Sequence, residues 1–343
     1  MDKHEFFKLA DIAAPAGYES PVADHLRENY SHLFTETKTD RLGNFIGISR
    51  CGRENAPLLM IDAHADEVGL IVTSVTDEGF IKFNALGSPD VRTLVNAEVL
   101  ILGAEPVPGV VCTLPPHVQS AADMEKYPKI TDLSIDIGHT AEEAKKLVSV
   151  GDCAVLRTCG TELISGRLTG RAFDNRLCLY VALEAMKNLN PARDYDVALV
   201  ASVREEVGCR GAGAAAFGLD PDAAVVLDVT FAAQPEAPSF GTFPLGSGVT
   251  LCVGPFTDRK LTSRLFDLCE KLELGVSPEV YGGSTGTNAT PVQITRAGIP
   301  VAVISVPIRN MHTPAELCDP ADADTAIALL GGFLNELKGE ELA

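Results

Sequence analysis

The stretch "DVALVASVREEVGCRGAGAAAF", residues 196–217, decides the fold. An apolar run predicts a strand over 195–203, and two adjacent carboxylates, Glu205 and Glu206, follow it almost at once. Glycine and alanine then lead into a helix predicted over 210–217. A strand with no polar alternation is covered on both faces. Strand followed directly by helix argues for an α/β layer structure.

The same alternation repeats along the chain. Helices are predicted at 174–190, 260–272 and 321–338, and strands at 222–228, 274–280 and 299–306. Two amphipathic helices open the sequence, near 3–13 and 20–33, separated by "APAGYES". The short strands "TKTD" and "NFIGIS" come next, and then "APLLMIDAHADEVG", a buried-strand pattern ending in charge. From about 70 to 162 the texture changes to short β-like pieces divided by turns, with one helix at 140–149. The 343 residues exceed what one compact core usually holds. The expectation is an α/β domain of residues 1–69 and 163–343, interrupted by a β-rich insertion over 70–162.

Composition narrows the function. A formal net charge of −19 argues against a nucleic-acid or lipid-surface binder. Nine scattered cysteines, without a C-x-x-C pair, fit buried thiols in a reducing compartment better than a disulfide framework. No run reaches the length of a membrane span, and "MDKHEFFKLADIAAPAG" carries no signal-peptide apolar block. A cytoplasmic protein is expected.

Five places share one grammar, in which His, Asp or Glu follows the end of an apolar run. They are His64 and Asp66 in "IDAHADE", Asp174 in "RAFDNR", Glu205 with Glu206, Asp228 in "VVLDVT", and His312 in "RNMHTP". Ligands of open α/β sheets collect at the carboxyl ends of strands, so residues far apart in sequence can meet there. Each residue alone has a plainer explanation. A lone His64 is more often a satisfied buried histidine than a ligand. Asp174 fits a helix N-terminal carboxylate, Asp228 a turn former, and His312 a loop residue. Glu142 and Glu143 serve as an internal control, because "HTAEEAKKL" spaces Thr140 and Glu143 as a capping box. Glu205 and Glu206 resist that explanation. Adjacent strand residues point to opposite faces, which suits two roles better than one.

The order "HAD", "FDNR", "EEVGCRGA", "LDVT", "PIRNMHTPAE" resembles the M42 family of metallo-aminopeptidases, the tetrahedral-aminopeptidase group that includes glutamyl and deblocking enzymes. The likeness runs almost end to end, taking in "APAGYES", "PPH" at 115–117 and "LSIDIGHTAEEAKKLVSVGD" at 133–152. It implies a zinc-peptidase-like mixed sheet flanked by helices, with 70–162 as a barrel-like (PA-like) dimerisation domain. It further implies two divalent ions per subunit, zinc or cobalt first and manganese third. His64 and Asp228 would bind one ion and Glu206 and His312 the other, with Asp174 bridging. Glu205 would be the general base activating a metal-bridging water, and Asp66 would orient His64. A cis peptide would follow Asp174. The implied substrates are peptides with a free N-terminus, and the implied assembly is a dodecamer built from dimers.

The residue chemistry agrees with the resemblance. Three carboxylates and two imidazoles suit zinc, cobalt or manganese rather than a closed thiolate site. Two departures stand out: Asn288 in "GGSTGTNATP", where the family commonly has Asp, and Asn175 after the bridging aspartate.

Rival readings are weaker. "GAGAAA" at 211–216 matches a dinucleotide fingerprint, but "REEVGCR" separates it from its strand. A glycosidase (endoglucanase-like) would use two carboxyls and leave the histidines idle. A non-catalytic scaffold would be favoured by a missing ligand, and none is missing. A related metal-dependent deacylase or carboxypeptidase is the nearest enzymatic alternative.

Overall fold

A computed structural model describes residues 1–120, 126–283 and 285–342. Its centre is a mixed sheet of eleven strands. Four long ones lie parallel side by side: Asp196–Ser202, Leu58–His64, Ala223–Phe231 and Val301–Arg309. Phe45–Ser49 and Glu36–Thr39 extend one edge. Glu316–Cys318, Leu168–Gly170 and Thr161–Glu162 extend the other. Val249–Val253 pairs with Val301–Arg309 and carries Val276–Val280.

The unbroken apolar runs are explained by two cores, one on each face of this sheet. Leu59, Ile61, Ala63, Val197, Leu199, Ala201, Val225 and Leu227 share one core with helices Lys3–Ala10, Phe173–Met186, Arg259–Lys271 and Pro320–Glu336. Met60, Ala198, Val200, Ala224 and Val226 belong to the other, under helices Arg210–Leu219 and Ala289–Gln293. Successive residues of each strand therefore enter opposite cores, as a two-residue side-chain period requires. Such helix–sheet–helix layering gives the α/β class expected.

The short pieces between Gly69 and Leu156 close into a six-stranded barrel. It has a separate core that includes Val72, Phe83, Ile101, Val111 and Ile135. The capping box forms here, with the Thr140 amide donating to Glu143 Oε2 at 3.0 Å. Among the described residues no helix is long and apolar enough to cross a membrane.

Register sets the site. Ser202 lies opposite His64, where two of the strands end, and Val226 lies opposite Asp62, so Ala223–Phe231 runs on past that level and carries Asp228 beside it. His64, Asp228 and the turn that follows Ser202 are therefore delivered to one end of the parallel strands.

Candidate metal centre

His64 is the last residue of its strand and is buried. Its Nε2 lies 3.1 Å from Asp174 Oδ1 and 3.8 Å from Asp228 Oδ1. His312 arrives after Val301–Arg309 in a left-handed conformation, φ 64°. Its Nε2 lies 3.2 Å from Asp174 Oδ2 and 3.2 Å from Glu206 Oε1. Asp174 thus turns one oxygen to each imidazole.

Asp174 does not cap its helix. It has φ −78° and ψ 102°, outside the helical range, and the peptide to Asn175 is cis. Its carboxylate lies across the strand ends. Glu316 fixes the arrangement, accepting the Asp174 amide at 3.0 Å on Oε2 and the His312 amide at 2.8 Å on Oε1. Glu316 is buried in the short strand Glu316–Cys318. It stands inside the motif "PIRNMHTPAE", yet the sequence reading assigns it no role. Its only sequence signal is a carboxylate entering an apolar strand four residues after His312.

The outer nitrogens are equally defined. His64 Nδ1 lies 3.1 Å from the main-chain oxygen of Asp66 and 3.6 Å from its carboxylate. The Asp66 carboxylate instead accepts two successive amides, Glu205 on Oδ1 and Glu206 on Oδ2, each at 3.0 Å. Asp66 therefore ties the histidine to the acidic pair. His312 Nδ1 lies 3.0 Å from the Ser88 carbonyl. Directing both outer nitrogens at carbonyls leaves both Nε2 atoms available as ligands.

Burial shifts the acids. It raises Asp228 well above the carboxylate range and, with Asp174 beside it, pushes Glu206 up to about 7. Burial also raises Glu205, against the pull of His64. For Asp174 burial acts upward too, but His312 and His64 outweigh it and hold the group low. Burial pulls His312 down, and Asp174 with Glu206 overcomes it, pushing the imidazole up to about 11. Clustered buried acids of this kind are stabilised by a divalent cation.

The donor set fits such ions. His64, Asp174 and Asp228 offer ligand atoms within 4.8 Å of one another, as do Asp174, Glu206 and His312. His64, Glu205 and Glu206 form a third such group. Glu206 Oε1 is buried, and its nearest charged neighbour is His312 Nε2 at 3.2 Å. All six sequence candidates around the sheet edge therefore meet, with Asp66 behind them.

Asn288 lies beneath the site. Its Nδ2 donates to Asp62 Oδ2 and to Ser202 Oγ, both at 2.9 Å. Burial pushes Asp62 up to about 7. An amide donor at 288 suits a carboxylate neighbour, where a second carboxylate would repel it. Asn175 Nδ2 donates to the Leu227 carbonyl at 2.9 Å and so serves the backbone beside Asp228.

Comparison with known proteins agrees with this geometry. The family model described as M42 glutamyl aminopeptidase matches residues 43–329. A lysyl aminopeptidase of Pyrococcus furiosus is 33% identical over 336 residues, covering 96% of each chain. An aminopeptidase from the archaeon Desulfurococcus kamchatkensis superposes with a TM-score of 0.92 at 32% identity, covering 99% of this chain and 96% of its own. The TET1 peptidase of Pyrococcus horikoshii, described as assembling into a tetrahedron or a large octahedral shell, gives 0.86 at 28% identity, covering 98% and 100%. With the family model spanning most of its length and the two donor triads in place, this chain belongs to the M42 peptidase family.

Proposed function

We propose that this peptide hydrolase is a two-metal aminopeptidase that removes N-terminal residues from peptides, with Glu205 as its general base. The observation that carries this reading is Asp174, which faces His64 with one oxygen and His312 with the other. His64, Asp174 and Asp228 would hold one divalent ion, and Asp174, Glu206 and His312 the second; zinc and cobalt suit these donors, as does manganese. Ions in such a site supply Lewis acidity toward the attacking water and the scissile carbonyl. Glu205 takes a proton from that water and delivers it to the leaving amine. Its raised carboxyl suits a group that must both accept and return a proton. Asp66 holds the Glu205 and Glu206 amides, so base and ligand keep a fixed separation.

Glu205→Gln tests the assignment. Turnover should fall by a factor of about 10² to 10⁴, while metal content stays at the wild-type level. Loss of metal in that variant would contradict the role. Assays on a panel of aminoacyl-p-nitroanilides, with N-blocked peptides as controls, test the direction of attack. Cleavage of the blocked peptides would exclude an aminopeptidase.

The proposal extends to assembly. The insertion expected over 70–162, less Thr161–Glu162, which pair into the main sheet, serves as a dimerisation domain, and the dimers build a dodecamer that admits peptides rather than folded proteins. The shells described for the TET1 relative support this reading, and sedimentation as a monomer would overturn it. The proposed location is the cytoplasm, in keeping with nine free cysteines.

A further inference from the structure

The seven residues between strand Asp196–Ser202 and helix Arg210–Leu219 form a tight turn around Glu205. Glu19 Oε1 accepts the Arg204 amide at 2.9 Å, and Asp66 takes the next two amides. The Glu205 carbonyl then accepts the amides of Gly208 at 2.9 Å and Cys209 at 2.7 Å. This closure brings the Cys209 side chain back over Glu205. Its Sγ–H donates to Glu205 Oε1 at 3.0 Å.

The backbone sets this half-buried thiol apart from an ordinary cysteine. Cys209 has φ 54° and ψ 46°, a left-handed conformation that disfavours any residue with a Cβ. Glycine would occupy the position without that strain, and strained residues of this kind gather at functional sites. Among the described residues, moreover, no group of metal donors includes Cys209. Burial and the adjacent Glu205 push its thiol well up, so it keeps its proton and serves as a donor.

We propose that Cys209 is a positioning residue for the proton-transferring carboxylate, its S–H engaging Oε1 of Glu205 so that Oε2 receives the proton. The proposal rests on Glu205 being the base. A carboxylate free to rotate presents either oxygen at variable distance from the water. One held by a donor on Oε1 presents Oε2 in a single orientation, which favours reaction. The S–H of Cys209 neither binds substrate nor takes part in the proton transfer.

The test compares Cys209→Ala, Cys209→Gly and Cys209→Ser with Glu205→Gln, all as metal-loaded full-length protein. In Cys209→Ala and Cys209→Gly alike, kcat should fall about ten-fold with KM within about two-fold. Metal content should not change, and Cys209→Ser should recover most of the rate. The thermal midpoint should be higher for Cys209→Gly than for Cys209→Ala, because only glycine relaxes the left-handed backbone. Activity following stability, with Cys209→Gly near wild type, would overturn the proposal. A readout independent of turnover is the infrared S–H stretch, isolated as wild type minus Cys209→Ala. The band should lie at the low-frequency, hydrogen-bonded end and move in Glu205→Gln; an unmoved band would overturn the contact. If Glu205→Gln keeps its turnover, the base assignment fails and takes the proposal with it. If Glu205→Gln is inactive and Cys209→Ala is fully active, only the role of Cys209 fails.

Discussion

Glu316 offers one oxygen to the amide of Asp174 and the other to the amide of His312. A glutamine can satisfy only one of these amides with its oxygen, so its NH₂ would face the other. Glu316→Gln should therefore cost about 1–3 kcal/mol, the range for a buried group left without a partner. Urea unfolding measures that loss, and equilibrium metal titration should show weaker binding in the same variant. A second prediction concerns protons. With His312 pushed up to about 11 in the metal-free protein, its imidazole is charged at neutral pH and must lose a proton to become a ligand. Metal binding at pH 7 should therefore release protons, and apparent affinity should rise with pH. Calorimetry in two buffers of different ionisation enthalpy checks this, and a buffer-independent heat would contradict it. The proposed ligands were legible in the sequence because most of them stand in or just after an apolar run, although the structure carries the strand of Asp228 on to Phe231. Glu316 and Cys209 were not, because their partners are fixed by tertiary closure and by the return of a turn, neither of which leaves a local pattern.

Among the elements, the passage from strand Asp196–Ser202 to helix Arg210–Leu219 is the most constrained. A Cβ on Gly211 would come within 2.3 Å of Asn44 Oδ1 and 2.4 Å of the Val203 carbonyl. Asn44 Oδ1 itself accepts the Val203 amide, so it cannot move away without breaking that bond. Gly211→Ala should lower stability by about 1–3 kcal/mol through overpacking, measured by urea unfolding, with kcat reduced as the Glu205 turn shifts. The run around Gly211 matches a dinucleotide fingerprint in letters only; its glycines lie within the helix and serve close packing. Double-sided burial made the four parallel strands readable, since their residues do not alternate between apolar and polar. Ser134–Asp136, Glu316–Cys318 and Val249–Val253 were not predicted. The first two are three residues long, and the third lies after a glycine- and proline-rich loop that hides its pattern.

At the scale of the molecule, the barrel reaches the candidate metal centre of the sheet. Its strand Ile81–Leu86 leads into Gly87 and Ser88, whose carbonyl holds His312, and the Asp90 amide donates to the His312 carbonyl at 3.1 Å. Gly87 has φ +77°, and a Cβ there would stand 3.2 Å from Glu206 Cβ and 3.0 Å from Val68 Cγ1. Gly87→Ala should displace this segment and weaken the ion proposed for Glu206 and His312, sparing the one proposed for His64 and Asp228. Metal stoichiometry after dialysis reads the difference as one retained ion in place of two.

The register of the parallel strands has a consequence for the cell that makes the protein. The proposed ligands are spread from His64 to His312 and meet only when the parallel strands stand in register. Translation proceeds from the N-terminus, so a chain still on the ribosome lacks its last ligand until residue 312 has emerged. A nascent or half-folded copy therefore cannot trim its neighbours. Its order of synthesis keeps it inert.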